Sequence, residues 1–522
     1  MRLLPWPVGA GHQLRDKRWR WIVALVVIAG VALIVRCYRL GLPGLTNDEA
    51  FSWRMTLYEG QGLLGRIRSD VHPPLYYLLL KTWVNVWGTS PVSLRSLSVA
   101  LGLLCVPLLH ALCVEGARLA KPEISPARAH GGALFSAFLL AIHGAQFSPS
   151  RTARMYSLGV FLAGLTAWLL LRALQARGRS EVWWCGYTVA VAGFCYTHYY
   201  AFFTICAQAL FMFAYLIRGA LKSGIRKTAP SATGFILATM LALLLYSPWV
   251  PVLMYQIEQV RTGFWIPAVS ASEATHVFIW WGTGLKDQSA LDSGLWLTLV
   301  IALTSWTVWR AKQAGWFFLL QAALPWVFSL AISYCSGMSI FYDRYLVFAQ
   351  FFLLGFWGIA WASLAAWRER LAVGCLLGAV SVAGLWITIR RLPATQPPLM
   401  KAAEFLQERY RAGDLILTNG PAAVNRLRYY AKQAGIKAIN VRCWQSSFPG
   451  TGQLVHLASL RTEDVVWPGE KGRVESARRR WLLFDNGDQV SNPPEGMAII
   501  LERTFEAEDA FPCFLVLYER EQ

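Results

Sequence analysis

The sequence predicts a polytopic α-helical membrane protein that ends in a small soluble α/β domain. Of its 522 residues, 55% are hydrophobic and only 15% are charged, a balance too apolar for a soluble globular chain. About eleven apolar runs approach the ~20 residues that cross a bilayer. After Ile389 these runs stop, and short apolar segments alternate with polar ones. We therefore expect about 11–13 transmembrane helices in residues 1–389 and a separate domain in residues 390–522.

The apolar runs follow one another through the membrane body. They are Trp21–Val35, Leu97–Val114, Gly131–Phe147, Met155–Leu171, Val182–Tyr196, Tyr200–Ile217, Gly234–Val250, Leu295–Trp309, Trp316–Tyr334, Tyr345–Trp367 and Leu371–Thr388. A weaker run, Leu75–Trp87, is too short to span a bilayer comfortably and predicts an interfacial or re-entrant helix. The first run follows a basic segment and lacks a small-residue cleavage site, so we expect a retained anchor.

The formal net charge of +19 is distributed unevenly along the chain. Lys and Arg are concentrated in alternate connections between the apolar runs, as the positive-inside rule requires of cytoplasmic loops. These basic residues are Arg15, Lys17, Arg18 and Arg20; Arg118, Lys121 and Arg128; Arg172, Arg177 and Arg179; Arg218, Lys222, Arg226 and Lys227; Arg310 and Lys312; Arg368 and Arg370. The pattern predicts a cytoplasmic N-terminus, with residues 40–96 and 390–522 outside. The charge is thus a topology signal and does not indicate a nucleic-acid partner.

The tail after residue 389 alternates helical and strand patterns. The predicted helices are Ala402–Tyr410 and Pro421–Ala431, and the predicted strands are Leu415–Thr418, Ala438–Val441, Trp481–Phe484, Ala498–Leu501 and Phe514–Tyr518. This alternation favours a small α/β domain. Cys443 and Cys513 are the cysteines of this exported part, where an oxidising environment would permit a disulfide if their geometry allowed it.

Two acidic clusters in the first external loop are the strongest chemical signal of the chain. Asp48 and Glu49 open a predicted helix, with Thr46 or Asn47 as its N-cap. Carboxylates beside a bilayer are costly and are usually functional. The structural alternative is that both acids only stabilise the first turn of that helix through its dipole.

The second cluster is Asp70-Val71-His72-Pro73-Pro74. Pro73 restricts His72 to extended geometry, and Pro74 suits the first position of a helix. The helix that begins near Leu75 then directs its unpaired N–H groups at the membrane face. Such a helix start beside a histidine is an anion site, for which phosphate is the obvious ligand.

Together these motifs resemble the protein O-mannosyltransferases of glycosyltransferase family 39, which carry an Asp-Glu pair and then Asp-x-His-Pro-Pro-Leu in the first luminal loop. The lipid A aminoarabinose transferases share the plan, with Lys where His72 stands. Both belong to the C-type glycosyltransferase (GT-C) superfamily. The resemblance covers roughly residues 21–389 and is strongest over Asp48–Arg95; Arg151–Tyr156 and Asp343–Leu346 also match. Here Tyr76-Tyr77 replaces the Gly-Lys of the mannosyltransferases, and the β-trefoil module of eukaryotic members is not recognisable. These departures weigh against a protein acceptor.

The resemblance implies a GT-C fold and transfer of a sugar, mannose or similar, from a polyprenyl-phosphate donor to a hydroxyl acceptor on the extracytoplasmic face, with inversion. Asp48 would be the general base, a role that typically contributes about 10²- to 10⁴-fold. The acceptor class stays open between lipid, glycan and protein. The absence of recognisable eukaryotic modules favours a bacterial inner (plasma) membrane.

The implied site has three groups of residues. The catalytic candidates are Asp48, Glu49 and Asp70; the donor-phosphate ligands are His72, Arg154 and Arg344; the candidate substrate contacts are Tyr156, His198 and Tyr345. Glu49 either supports Asp48 or caps the helix. The arginines have an alternative as interfacial anchors, and the Tyr and His residues as members of an aromatic belt. The three acids could also supply oxygen ligands to a divalent metal, which is left open.

Two other functions compete with this interpretation. A polytopic chain with acidic residues near the membrane could be a transporter of a polar solute or a lipid-linked intermediate. The acids lie in an external loop, however, and no broken helices pair between two halves. A non-catalytic assembly protein built around the tail is the third alternative.

Overall fold

The computed structural model describes residues 18–120, 124–176, 178–262, 266–284, 293–393, 395–418, 420–436, 438–444, 460, 464–466, 474, 479–484, 497–507 and 510–520. Arg15, Lys17, Lys121 and Arg177, four of the basic residues assigned to cytoplasmic connections, lie outside this part of the chain.

Helices form most of the membrane body. They are α1 Arg18–Cys37, α2 Asn47–Thr56, α3 Gly60–Arg68, α4 Leu75–Trp87, α5 Pro91–Ala117, α6 Pro126–Ile142, α7 Gly144–Phe147, α8 Tyr156–Gln175, α9 Ser180–Cys195, α10 Ala201–Ser223, α11 Ile225–Tyr246, α12 Val250–Thr262, α13 Ala271–Thr283, α14 Ser293–Ala311, α15 Gln313–Ser336, α16 Val347–Ser363 and α17 Trp367–Arg390. Single 3₁₀ turns occur at Arg118–Ala120, Pro149–Arg151, Ser247–Trp249 and Asp343–Leu346.

The apolar runs of the sequence fall on helical segments, although Gly131–Phe147 passes from α6 into α7 at His143, and the predicted polytopic fold is confirmed. Among the described residues, eight helices are long and apolar enough to cross a membrane, or up to nine if one bent pair is counted as a span. The count is smaller than the number of runs partly because α9 has only 16 residues. A helix of that length, about 24 Å, is shorter than the ~30 Å hydrocarbon core.

The bent pair consists of α6 and the short helical segment after His143, with an angle of 65° between them. His143 adopts an extended conformation, which ends α6 and leaves its last carbonyl groups without helical partners. The buried Arg36 side chain donates to the carbonyl oxygens of Leu140 and Ala141, at 3.0 and 3.1 Å. A guanidinium from α1 therefore stabilises the break.

Helix α4 has the bounds of the weak apolar run, Leu75–Trp87. It buries Tyr76, Tyr77, Leu80 and Val84 on one face and exposes large apolar side chains on the other, including Trp87 at 64%. A short helix with an apolar face open to its surroundings has the character of an interfacial helix.

The tail contains helices α18 Pro398–Arg409 and α19 Pro421–Gln433 and a six-stranded sheet. The strands are β1 Leu415–Thr418, β2 Val441–Trp444, β3 Val465–Val466, β4 Arg479–Phe484, β5 Met497–Ala507 and β6 Ala510–Arg520, in the order β3-β2-β1-β4-β6-β5. The first four pair in parallel, and β5 and β6 form an antiparallel edge. The predicted α/β character is confirmed. The strand predicted at Ala438–Val441 was displaced, because pairing with β1 begins at Val441; β3 was not predicted.

The tail packs directly on the segment of residues 40–96. The Tyr430 hydroxyl accepts the Leu45 N–H at 2.7 Å, and the Tyr429 hydroxyl donates to the Thr89 carbonyl oxygen at 3.0 Å. Helix α2 and the tail therefore lie on the same side of the membrane body. The hydrogen bond from Leu45 to Tyr430 holds the segment just before Asp48 against the tail.

Cys443 and Cys513 are both buried and are not joined by a disulfide. Cys443 lies on β2 and Cys513 on β6, with β1 and β4 between these strands. Three strand spacings amount to about 14 Å, and disulfides require Cα atoms about 4.4–6.8 Å apart.

We therefore predict that purified protein, denatured without reductant, will be alkylated at both Cys443 and Cys513, and that prior reduction will not increase the labelling. Peptide mass spectrometry gives the measurement. A cross-linked peptide that contains both cysteines would contradict the strand order.

Candidate active site

Helix α2 begins with a complete capping box. The Thr46 hydroxyl accepts the Glu49 N–H at 3.2 Å, and the Glu49 carboxylate accepts the Thr46 N–H at 3.0 Å. This arrangement satisfies two of the N–H groups that a helix start leaves unpaired. It also fixes Asp48 in the first turn, between the two capping residues.

Asp48 faces an arginine that lies far away in the chain. The Arg344 Nη1 atom is 2.9 Å from the Asp48 Oδ2 atom. Arg344 lies in the 3₁₀ turn Asp343–Leu346 and also donates to the Tyr342 hydroxyl at 2.8 Å. The Asp48 side chain is 30% exposed and that of Arg344 40% exposed, so this ion pair remains accessible to a ligand.

Glu49 is in a different environment, although it is the next residue. It is 1% exposed, and its two oxygens accept from the Nε and Nη2 atoms of Arg95, both at 2.8 Å. One oxygen also accepts the Ala153 N–H at 3.1 Å. Burial by itself raises the pKa of Glu49, but the charge and hydrogen bonds of Arg95 hold it below the usual value. Glu49 therefore has the geometry expected of a residue that caps helix α2.

Asp70 is 2% exposed and belongs to a buried chain of hydrogen bonds. Arg154 donates to the Tyr77 hydroxyl at 3.0 Å, and that hydroxyl donates to Asp70 at 2.7 Å. The Nδ1 atom of His72 lies 3.5 Å from Asp70 Oδ2 and 3.4 Å from Arg154 Nη2. Burial raises the pKa of Asp70, but the charge of His72 and then that of Arg154 keep it below the usual value. Asp70 thus holds the cationic side of the site in place.

The candidate substrate contacts form one aromatic cluster. The ring of Tyr345 lies 4.9 Å from His198, 6.2 Å from His72 and 6.5 Å from Tyr156, measured between centroids. Tyr156, His198 and Tyr345 are 2%, 4% and 7% exposed. They are buried inside the protein and do not form an outward-facing aromatic belt.

His198 has one ring nitrogen engaged and one without a partner. Its Nδ1 atom accepts the Tyr200 N–H at 3.2 Å, so the proton of the neutral ring is on Nε2. The Nε2 atom is buried and makes no hydrogen bond. Burial, and then the charges of His72 and Arg154, lower the pKa of His198 well below the usual value. The ring therefore stays neutral and offers a donor.

His198 is one of the residues that line an apolar cavity of about 260 Å³. His72, His198 and Tyr345 line it, together with apolar residues that include Phe203 and Leu253. The site thus has a charged side, at Asp48 and Arg344, and an apolar side that continues between α10, α12 and α15.

Among the residues that the structure describes, no three His, Cys, Asp or Glu side chains converge on a metal position. Asp48, Glu49 and Asp70 have separate partners: Arg344, Arg95 and Tyr77. These three acids do not fit a common metal as they are placed.

Sequence reasoning missed Arg95, and it noted Tyr77 only as a departure from a family pattern. Arg95 lies in the first turns of α5, and the buried partner of Glu49 could be sought only among cations distant in sequence. Tyr77 connects Asp70 to Arg154. Tyr77 lies in the first turn of α4, three residues after Pro74, and this closeness to the Asp70 motif was the signal in the sequence that could have identified it.

Comparisons with known proteins identify the fold. No protein-family model and no curated protein matches the chain. ArnT from Cupriavidus metallidurans in the apo state is 12% identical, with a TM-score of 0.61, and the match covers 95% of this chain and 97% of that one. ArnT from Cupriavidus metallidurans bound to undecaprenyl phosphate is 13% identical, with a TM-score of 0.58, covering 96% and 98%. The Archaeoglobus fulgidus oligosaccharyltransferase in complex with Zn and sulfate is 12% identical, with a TM-score of 0.52, covering 88% and 68%.

The chain therefore has the GT-C fold, as the sequence motifs implied. Identities this low establish the fold and leave the reaction to the residues of the site.

We predict that Glu49→Gln will lower the free energy of unfolding by about 3–5 kcal/mol, because Arg95 would be left buried without its counter-charge. The folded pKa of Glu49 lies below its unfolded value, so this stability is present at neutral pH and is lost as the pH falls through the folded pKa. Thermal unfolding in detergent at several pH values measures the effect.

Glu59→Gln is the matched control in the same loop. The Glu59 side chain pairs with Lys81 but is 85% exposed, so its loss should cost at most about 1 kcal/mol. Equal effects of the two substitutions would contradict a structural role for the buried pair.

Proposed function

We propose that this protein is an integral membrane glycosyltransferase that moves one sugar from a polyprenyl-monophosphate donor to a hydroxyl acceptor, with inversion at the anomeric carbon. The observation that carries the proposal is the accessible Asp48–Arg344 ion pair beside a buried cationic cluster and an apolar cavity. The reaction would take place on the extracytoplasmic face of a bacterial plasma membrane. The N-terminus would be cytoplasmic, and the domain of residues 390–522 would be extracytoplasmic.

Accessibility separates the roles of the three acids. Asp48 is the only one of the three whose side chain is substantially exposed, whereas Glu49 and Asp70 are buried and occupied by hydrogen bonds. A general base must reach the proton that it removes. We therefore assign this role to Asp48, and we assign Glu49 and Asp70 to holding α2 and the cationic cluster in position.

The proposed step is a single displacement. Asp48 takes the proton of the acceptor hydroxyl while the oxygen of that hydroxyl bonds to the anomeric carbon. The bond from that carbon to the phosphate oxygen breaks, and its electron pair remains on the lipid phosphate. Arg154, Arg344 and His72 would stabilise this developing negative charge.

Arg344 connects donor binding to the base. Its Nη1 atom lies 2.9 Å from Asp48 Oδ2 and neutralises that carboxylate. A lipid phosphate is a competing anion, to which a guanidinium donates two parallel hydrogen bonds. When Arg344 turns toward the phosphate, the Asp48 carboxylate becomes available to the acceptor.

The apolar cavity suits the hydrocarbon part of such a donor. His72 and His198 line this cavity, and we place the lipid phosphate next to them. The structurally similar ArnT was crystallised with undecaprenyl phosphate, which supports a polyprenyl carrier. For the transferred sugar we propose a hexose or pentose, with mannose as the first to test.

We predict that Asp48→Asn will reduce transfer by about 10²- to 10⁴-fold, because the amide cannot accept the acceptor proton. Donor affinity should not fall, since the phosphate ligands remain and Arg344 no longer has a competing carboxylate. The measurement is turnover of labelled polyprenyl-phosphate sugar by purified protein, with donor binding assayed separately. Glu59→Gln serves as the control, and full turnover by Asp48→Asn would rule out this base.

We predict that His198→Phe will weaken donor binding by about tenfold, because a hydrogen bond from Nε2 to a charged phosphate is lost. Because the His198 ring stays neutral, the difference in donor affinity between the wild type and His198→Phe should be constant across the neutral pH range. The exposed His276 on α13 gives the control, His276→Phe. Unchanged donor affinity in folded His198→Phe protein would remove His198 from the phosphate site.

A further inference from the structure

A basic recess lies at the end of the membrane body that is remote from Asp48. Its volume is about 440 Å³, within the range of about 300–1,000 Å³ that is typical of small-ligand sites. The lining comes from the end of α10, the start of α11, the junction between α14 and α15, and the 3₁₀ turn Arg118–Ala120. The recess therefore joins three connections that are distant from one another in sequence.

Helix α10 shows that this recess and the candidate active site lie at opposite membrane faces. The helix begins at Ala201, whose N–H donates to the carbonyl oxygen of His198 at 3.0 Å, and it ends at Ser223, which lines the recess. Its 23 residues amount to about 34 Å, enough to cross the ~30 Å hydrocarbon core. The positive-inside rule predicts that the basic end is cytoplasmic.

The turn between α10 and α11 brings two helix ends together at the recess. Gly224 joins them with a φ of +85°, a conformation that favours glycine. A Cβ atom at Gly219 would lie 2.7 Å from the methyl carbon of Thr228, so the absence of a side chain at Gly219 allows the two helices to approach closely. Lys222 on α10 and Lys227 on α11 consequently line the same recess.

The charge of the lining is of one sign. Arg218, Lys222, Lys227 and Lys312 line the recess, and no acidic residue does so among the residues that the structure describes. The side chains of Arg218, Lys222 and Lys227 are exposed, and within the described part of the chain they form no ion pair. Three cations thus share one concave surface, which attracts anionic ligands.

The positive-inside rule explains why these connections are basic, but not why cations from different connections meet in one recess. Lys312 comes from the connection between α14 and α15, far along the chain from Lys227. In a neighbouring basic connection, the buried carboxylate of Glu115 pairs with Arg118 and Arg172. The described lining of the recess offers no such carboxylate, so its cations repel one another and a bound anion would relieve the repulsion.

Helix α15 adds to the attraction of an anion. Its first residue, Gln313, lines the recess, and no side chain caps this helix start. The first N–H groups of a helix have no intrahelical acceptor and favour a negative charge nearby. This start acts on a ligand together with the lysine and arginine side chains around it.

The surface beside the recess favours a lipid over a free phosphate ion. Ile217, Leu221 and Ile225 lie next to the basic residues of α10 and α11 and are 45%, 84% and 77% exposed. Acyl chains can pack on these side chains while a headgroup occupies the recess. Tyr215 is part of the lining, and tyrosine is enriched at the level of lipid headgroups.

We propose that this recess binds the phosphate group of an anionic phospholipid from the cytoplasmic leaflet. Basic pockets between membrane helices on the cytoplasmic side are suited to such headgroups. Arg218, Lys222 and Lys227 would donate to the phosphate oxygens, as cationic side chains do in charge-assisted hydrogen bonds. The assignment does not depend on the proposed function, because the recess and Asp48 lie at opposite membrane faces.

The binding test uses full-length protein in detergent and a fluorescent phosphatidylglycerol that unlabelled compounds displace. The competitors are dioleoylphosphatidylglycerol, dioleoylphosphatidylcholine, which has no net charge, and inorganic phosphate. We expect phosphatidylglycerol to bind at least about tenfold more tightly than phosphatidylcholine, with an affinity that falls as salt is raised. Equal affinities for the two lipids would overturn the proposal. Displacement by inorganic phosphate at the same concentrations as by phosphatidylglycerol would assign the recess to a free ion instead.

The site is tested with the double variant K222Q/K227Q, which removes two positive charges from the lining. We expect it to weaken phosphatidylglycerol binding by about tenfold or more, since a contact to a charged phosphate is lost at each position. The matched control is R20Q/R368Q, which removes two exposed positive charges from the starts of α1 and α17, outside the recess. Its affinity should stay within about twofold of the wild type.

The two double variants separate a defined site from general attraction by surface charge. Both lower the net charge by two, so a diffuse electrostatic effect would weaken binding equally in both and would reject the recess. Unchanged affinity in K222Q/K227Q would reject it as well. Should K222Q/K227Q not fold, the single variant Lys227→Gln is decisive, with an expected loss of at least about threefold against Arg368→Gln.

Discussion

The arrangement of the site depends on one buried ion pair, between Glu49 and Arg95. All five N–H groups of Arg95 have acceptors: two are the oxygens of Glu49, and three are the carbonyl oxygens of Leu40, Pro43 and Gly44. A buried charge pair offsets its desolvation cost only when its hydrogen bonds are complete in this way. Because the pair joins α5 to the start of α2 and to the segment before it, it determines where Asp48 lies.

The same start of α2 receives a second constraint from the tail. The Leu45 N–H, one residue before the N-cap Thr46, donates to the Tyr430 hydroxyl on α19. The segment around Asp48 is therefore held by α5 on one side and by the tail on the other. The tail acts on the site through backbone position, in addition to any ligand that it binds.

The sequence predicted those features that depend on local pattern. Apolar runs located the helices, Pro73 and Pro74 located the start of α4 within a residue, and the acid motifs selected Asp48 and Asp70. Features that depend on distant partners were not predictable. The pairing of Glu49 with Arg95 spans 46 residues and that of Asp48 with Arg344 spans 296, and the sequence does not state which cation meets which acid.

The failure to predict β2 has the same cause. Ala438–Val441 has a suitable local pattern, but the strand begins at Val441 because that residue is in register with Ile416 of β1. The neighbouring strand determines where pairing starts, and the local sequence of apolar residues does not show which strand will pair with it.

The unequal exposure of the acids explains how one site can keep a stable framework and a reactive group. Glu49 and Asp70 have pKa values held below the usual range by buried cationic partners, and so remain charged and fixed. Asp48 is paired with an arginine that is itself 40% exposed, and in the proposed reaction the donor phosphate would be the alternative anionic partner of that arginine. An exposed ion pair is weak enough to exchange, whereas the buried pairs are not. The difference in burial between residues 48 and 49 thus separates the proposed base from the buried residues that position it.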